Sequence, residues 1–180
     1  GAPLGDVLAE VARLIEEQLP GVLCSILVQD RTTRRLRLGS APSLPASYNQ
    51  AVDGVPIGPT HGACGAAAHR RQPVRVRDTQ TDPLFADYRE LAAQHGLRSC
   101  LSVPILSANF DGHGEEVVLG TFAMYRRDTD DAAGSFPAFE SAAALPIRWS
   151  MVGRTSERAR PGLQHRRLVA LFVRRNVDDV

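Results

Sequence analysis

Residues 58–70, Gly58-Pro-Thr-His-Gly-Ala-Cys-Gly-Ala-Ala-Ala-His-Arg70 (GPTHGACGAAAHR), decide how the rest of the chain is read. Glycines and a cysteine run into alanines, which suits a phosphate loop, a thiol poised at a helix start, or a packing joint. The glycines fall at 58, 62 and 65, which is neither GxGxxG nor GxxxxGK[ST], and Val55-Pro56-Ile57 before them is a poor strand. The packing joint fits better: a loop closes over a sheet and a helix starts near Gly62. Ala63, Gly65, Ala66 and Ala67 then let that helix lie close to a neighbour. Cys64 falls in its first turn, where the helix dipole favours thiolate, with His61 near enough to assist. The alternative for a free cysteine is a small buried hydrophobe.

Outward from this stretch, the upstream chain reads as helix and hairpin. Leu4, Val7, Leu8, Val11, Leu14, Ile15 and Leu19 follow helical spacing until Pro20-Gly21. Val22 to Val28 is an apolar strand. After the polar turn Asp30 to Arg34, Leu36 and Leu38 alternate with Arg35 and Arg37. Ser43 to Val52 is a short helix with Pro45 in its first turn. Downstream, Val74 and Val76 alternate with arginines, and Asp82-Pro83 reads as N-cap and first residue of a helix. Leu84, Tyr88, Leu91 and His95 fall on one stripe of that helix, with Gly96 as its C-terminal cap. Arg98 to Leu106 and Val117 to Tyr125 are the strongest strand signals, joined by a polar loop. This order fits an antiparallel sheet with helices on its faces, an α+β fold.

In the strand after Gly96, Leu101, Val103 and Ile105 share one face and must be core. Arg98, Cys100 and Ser102 share the other, a small polar surface that suits either a cavity lining or a solvated sheet face. His69, His95, His113 and His165 have no metal-ligand spacing. Asp82 is explained as a cap, and Asp128, Asp130 and Asp131 read as a solvated turn. Past Arg127, Pro137, Pro146 and Pro161 interrupt every helix and arginine becomes dense. Leu163 to Val177, apolar residues flanked by basic pairs, suits a short strand, an interfacial helix or a poorly ordered tail.

Composition bounds the rest. A chain of 180 residues suits one domain with a real core. Net charge is +1, so no global field draws in nucleic acid or an anionic membrane. All 21 basic residues are arginine, so no Schiff base and no P-loop lysine can form. Cys24, Cys64 and Cys100, without CxxC spacing, argue against a disulfide framework and a structural zinc site. No apolar run approaches the roughly 18 residues of a membrane span, and no signal peptide is visible at the N-terminus. A cytoplasmic location is expected, with no metal and no identifiable cofactor.

Read together, residues 58–125 resemble a known family, the GAF domain, in the bacterial subgroup found in signalling proteins. The resemblance rests on the G-x-CG-x-AA turn at Gly62, PV-x-V-x-D at Pro73, DPL-aromatic-x-x-YR at Asp82, GLR-x-C-x-S-x-PI at Gly96 and GTFA-x-Y at Gly120. It covers residues 4–127, the leading helix and hairpin in pattern only. Domains are expected as 1–131, a GAF-type sensor domain, and 132–180, an atypical Pro/Arg-rich linker or partial signalling helix. The resemblance implies a PAS-related central antiparallel sheet of five or six strands, helices on both faces, and a small-ligand pocket between sheet and helices.

For function, the resemblance implies a sensory module that passes ligand occupancy to an output domain or partner, such as a kinase or cyclic-di-GMP enzyme. A homodimer is expected, and the ligand is unknown. Candidate ligand-binding residues are His61 and Cys64 at the entrance, Tyr88 from the helix, and Arg98, Cys100 and Ser102 from the sheet, with Arg98 available to an anionic group. No catalytic residue is assigned. Without lysine, the N-K-F-D-E signature of cyclic-nucleotide GAF domains is incomplete. One alternative is an enzyme similar to free methionine-(R)-sulfoxide reductase using Cys64. Its further thiols are missing from 51–57 and 79–96. Another is a ligand-free dimerisation module, its pocket filled by side chains such as Phe85 and Phe122.

Overall fold

The computed structural model describes residues 3–110, 116–130 and 147–149. The leading amphipathic pattern becomes helix α1 (Leu4–Gln18), which stops before Pro20-Gly21. Strands β1 (Leu23–Asp30) and β2 (Arg35–Ser40) form the expected hairpin, its turn held by Asp30 accepting from the Thr32 and Thr33 amides. There follow α2 (Ala46–Val52), β3 (Val55–Pro56), α3 (Gly62–Arg70) and β4 (Val74–Val76). A 3₁₀ helix (Pro83–Tyr88) leads into α4 (Arg89–Gln94), and long strands β5 (Ser99–Phe110) and β6 (Glu116–Arg126) close the core.

The sheet runs β3-β2-β1-β6-β5-β4, and every pairing along that order is antiparallel. A short strand β7 (Ile147–Trp149) adds to β5 in parallel at Ile105–Ser107, past the end of β4. The readings made for residues 131–146 and 150–180, including Leu163–Val177, lie outside the described residues.

Alternation along the strands splits the core in two. One face, with Cys24, Ile26, Leu101, Val103, Phe122 and Met124, packs on Ala12 and Ile15 of α1. The other, with Leu27, Cys100, Ala123 and Tyr125, is covered by α2, α3, the 3₁₀ helix and α4. Helices on both faces of an antiparallel sheet are the expected α+β fold, and Phe122 lies on the α1 side, away from the cavity described below.

Two glycines let the layers meet. A Cβ at Gly120 would lie 2.1 Å from the Leu27 carbonyl oxygen, so β1 and β6 can pair here only without a side chain. A Cβ at Gly65 would lie 2.6 Å from the Pro56 oxygen, which fixes how closely α3 lies on β3. The small residues of 62–68 are therefore a packing device, and all seven are buried.

Two sequence readings change. The single helix over 83–95 is interrupted: Asp82 caps it by accepting from the Leu84 amide at 2.9 Å, but the first six residues are 3₁₀ and the chain turns at Tyr88 (φ −114°, ψ 1°). Asp130 is not part of a solvated turn. It is buried, its amide donates to the Arg77 carbonyl, and its carboxylate takes two bonds from Arg75, which ties the exit of β6 to β4.

Candidate functional site

The cavity opens where α3 begins. Gly62 sits at φ +64°, a left-handed conformation that suits glycine, and turns the 58–61 loop into the helix. The His61 ring lies over Gly58, where a Cβ would come within 2.7 Å of it. The Tyr88 ring lies over Gly62, 3.6 Å from where a Cβ would be. Tyr88 is thus set at the mouth by the break between the 3₁₀ helix and α4.

Below this mouth lies a cavity of about 30 Å³. Its walls are largely apolar and aromatic: Leu27, Val52 and Val55, with Tyr48, Phe85 and Tyr125. Tyr48 and Tyr125 meet edge to face at 5.7 Å, and Phe85 meets Tyr88 at 6.4 Å. Tyr48 is held from behind by His95, again edge to face at 5.7 Å.

Cys64 lines the cavity, its Sγ 4.0 Å from Tyr125 Oη. Burial raises its pKa, overriding the helix dipole, while the hydroxyls of Ser102, Thr121 and Tyr125 pull more weakly the other way. The thiol is therefore kept protonated at neutral pH. Burial likewise pushes Cys100 and Tyr125 well up and raises Tyr48 and Tyr88.

Behind Cys64 the sheet carries small polar side chains. Ser25, Ala123 and Ser102 are cross-strand neighbours on β1, β6 and β5, with Thr121 next along β6 on the same face. The hydroxyls of Ser25, Ser102 and Thr121 are buried, Ser102 and Thr121 close to the Cys64 thiol and Ser25 close to the Tyr125 hydroxyl.

These features together, a six-stranded antiparallel sheet with α3 and a 3₁₀ helix closing a small cavity on one face, agree with a family model for the GAF domain that matches residues 3–145. The chain belongs to the GAF family. A curated relative, the methyl sulfide methyltransferase-associated sensor of Methanosarcina acetivorans, is 37% identical over 129 residues. That match takes in 72% of this chain but 12% of the relative, so this GAF chain spans about an eighth of that protein. Among solved structures, a domain of a protein described as a two-component sensor histidine kinase of Sinorhizobium meliloti 1021 aligns with a TM-score of 0.56 at 21% identity. The alignment covers 97% of this chain and 99% of that one. The free methionine-R-sulfoxide reductase of Neisseria meningitidis, solved with its substrate, aligns with a TM-score of 0.52 at 19% identity, over 73% and 67% of the two chains. At these identities the structural matches speak for the fold alone.

Of the residues singled out in the sequence, His61, Cys64 and Tyr88 line the cavity of this GAF domain. Cys100 and Ser102 are on the same side of the sheet but fully buried under α3, behind the lining. Arg98 lies outside the lining and makes two bonds to the Asp78 carboxylate, at 3.2 and 3.0 Å. The structure adds Tyr48, Phe85 and Tyr125 as walls, Phe85 being one of the two side chains the ligand-free reading invoked. Tyr125 stands in the GTFA-x-Y run, on the same strand face as Thr121 and Ala123, so alternation from Thr121 was enough to find it. Tyr48 had no comparable signal, because only the packing of α2 brings it against Tyr125 and His95.

Proposed function

We propose that this GAF domain is a small-molecule-binding regulatory module that works in the cytoplasm as a homodimer. The observation that carries the reading is where the cavity lies, between the start of α3 at Gly62 and the helix break at Tyr88. A guest there changes the relative position of two short elements, and occupancy becomes a shift between two arrangements of the same fold. The consequence is passed to an output domain or a partner, in keeping with a curated relative that is a much longer sensor protein.

The protonated state of Cys64 supports the sensor over the reductase reading. Attack on a sulfoxide needs a thiolate, and resolution needs a second reactive thiol. Burial also raises Cys100, and Cys24 lies in the α1-side core. Native mass spectrometry of the chain purified from its own host is expected to show a retained small-molecule mass. Consumption of free methionine sulfoxide with a thiol reductant, lost in Cys64→Ser, would establish the reductase reading instead.

A further inference from the structure

We propose that the ligand of this cavity is an uncharged molecule with an aromatic body and one hydrogen-bonding group, the group docking against Tyr125 and Cys64. This rests on the small-molecule reading above and names the class of molecule it needs.

Charge is excluded by what the cavity lacks and by what burial would cost. No Arg, Asp or Glu lines it among the described residues, the chain has no lysine, and the imidazole in the lining, His61, lies over Gly58 at the mouth rather than at the Tyr125 end. The charges that reach Tyr88, Asp87 and Arg35, do so from outside the lining, and the Arg35 guanidinium already donates to the Gly54 carbonyl at 2.8 Å. Arg98, the residue suited to an anionic group, is engaged by Asp78. An unpaired carboxylate or ammonium in such a site gives up its hydration with no opposite charge to replace it. A zwitterion such as an amino acid would bring two of them.

Away from His61 at the mouth, the polar end of the cavity is hydroxyl and thiol. Tyr125 Oη and Cys64 Sγ stand together there, and the buried hydroxyls of Ser102 and Thr121 back the thiol. These groups donate and accept hydrogen bonds while staying neutral, which suits an alcohol, phenol, amide or indole N–H. The remaining walls offer Tyr48, Phe85 and Tyr88, arranged for edge and face contacts with a ring.

Size adds a condition. A cavity of about 30 Å³ holds a water or two, whereas benzene has been accommodated in a cavity of roughly 150 Å³. A ring-sized guest must therefore displace part of the mouth. Tyr88 is the side chain placed to yield, being half-buried, over a glycine, and at the helix break.

The test is an amide NMR titration of the full chain with phenol, benzoate and free methionine sulfoxide, three probes that differ in charge. Phenol is expected to shift the amides of residues 61–64 and of Tyr125 and Tyr88 saturably, and benzoate to bind at least tenfold more weakly. Methionine sulfoxide is expected to leave these amides unmoved. Tyr125→Phe, which keeps the ring, is expected to weaken phenol about fivefold while its spectrum remains that of a folded chain. Benzoate or methionine sulfoxide binding in the cavity as tightly as phenol overturns the uncharged class but leaves the small-molecule reading standing. Absence of all three from the cavity at tens of millimolar overturns both.

Discussion

At Cys64 two opposing effects meet, and their sizes decide the chemistry. A thiol in the first turn of a helix gains from the dipole an effect worth about 0.3–1 kcal/mol at exposed sites. Full burial shifts a pKa by up to several units, each worth about 1.4 kcal/mol, and burial is the largest influence on this group. Burial wins, so the residue that most suggests catalysis in the sequence is held as a neutral thiol. Ellman's reagent is therefore expected to leave all three thiols of the native chain essentially unlabelled over minutes at pH 7.5 and to titrate three per chain in denaturant. Rapid native labelling of one thiol, lost in Cys64→Ser, would show a reactive cysteine and reopen the reductase reading.

At the scale of elements, the turn at 58–70 is read correctly as a joint because its residue sizes carry the message. Gly65 has no side chain and the alanines after it only a methyl, so little holds α3 off β3, and composition alone reveals that. The order of strands, the hairpin and the Asp82 cap are legible for a similar reason, since alternation and capping are local properties. What escapes is what only tertiary packing fixes. The break at Tyr88 within an otherwise helical stripe is one case, and the approach of Tyr48 to Tyr125 and His95 is another. Arg98 is misleading because its partner, Asp78, is twenty residues away in sequence and adjacent only in the fold. The close approaches predict a graded outcome for three glycine-to-alanine variants. Gly65→Ala must push α3 from the Pro56 carbonyl and is expected to cost about 1–3 kcal/mol. Gly120→Ala meets the Leu27 carbonyl still more closely and is expected to cost more than Gly65→Ala. Gly5→Ala, on open helix surface, is expected to gain up to about 1 kcal/mol. Urea midpoints rank the three, and a neutral Gly120→Ala would contradict the packing of β1 on β6.

For the molecule as a whole, the buried ionisable groups make stability asymmetric in pH. Cys24, Cys64 and Cys100 all have pKa values raised chiefly by burial, as do Tyr48 and Tyr125. An acid whose folded pKa is raised keeps its proton at a pH where the unfolded chain has released it. Its contribution is fully present below the unfolded thiol value of about 8.5 and is lost as pH rises towards the folded value. Each thiol then lowers stability by about 1.4 kcal/mol per pH unit above roughly pH 9.5, and the tyrosines join above about 10.5. On the acid side, hydrogen bonds from Arg98 to Asp78 and from Arg126 to Asp128 hold those carboxyls below their ordinary values. That stabilisation is present above about pH 4 and falls away below it, but Asp128 is exposed and Asp78 partly so, and the effect is small. The expected profile is a plateau from about pH 5 to 8 with an alkaline limb steeper than the acid one. Urea midpoints at pH 7.5, 9.5 and 10.5 measure it. Cys24→Ala, which leaves the Glu16 bond to the residue 24 amide in place, separates the causes. It lowers stability at every pH through lost packing, and it should also flatten the limb between pH 9.5 and 10.5 by about 1.4 kcal/mol per unit. If the midpoint falls in the variant while the slope stays that of the parent, buried thiols are not what limits this fold in alkali.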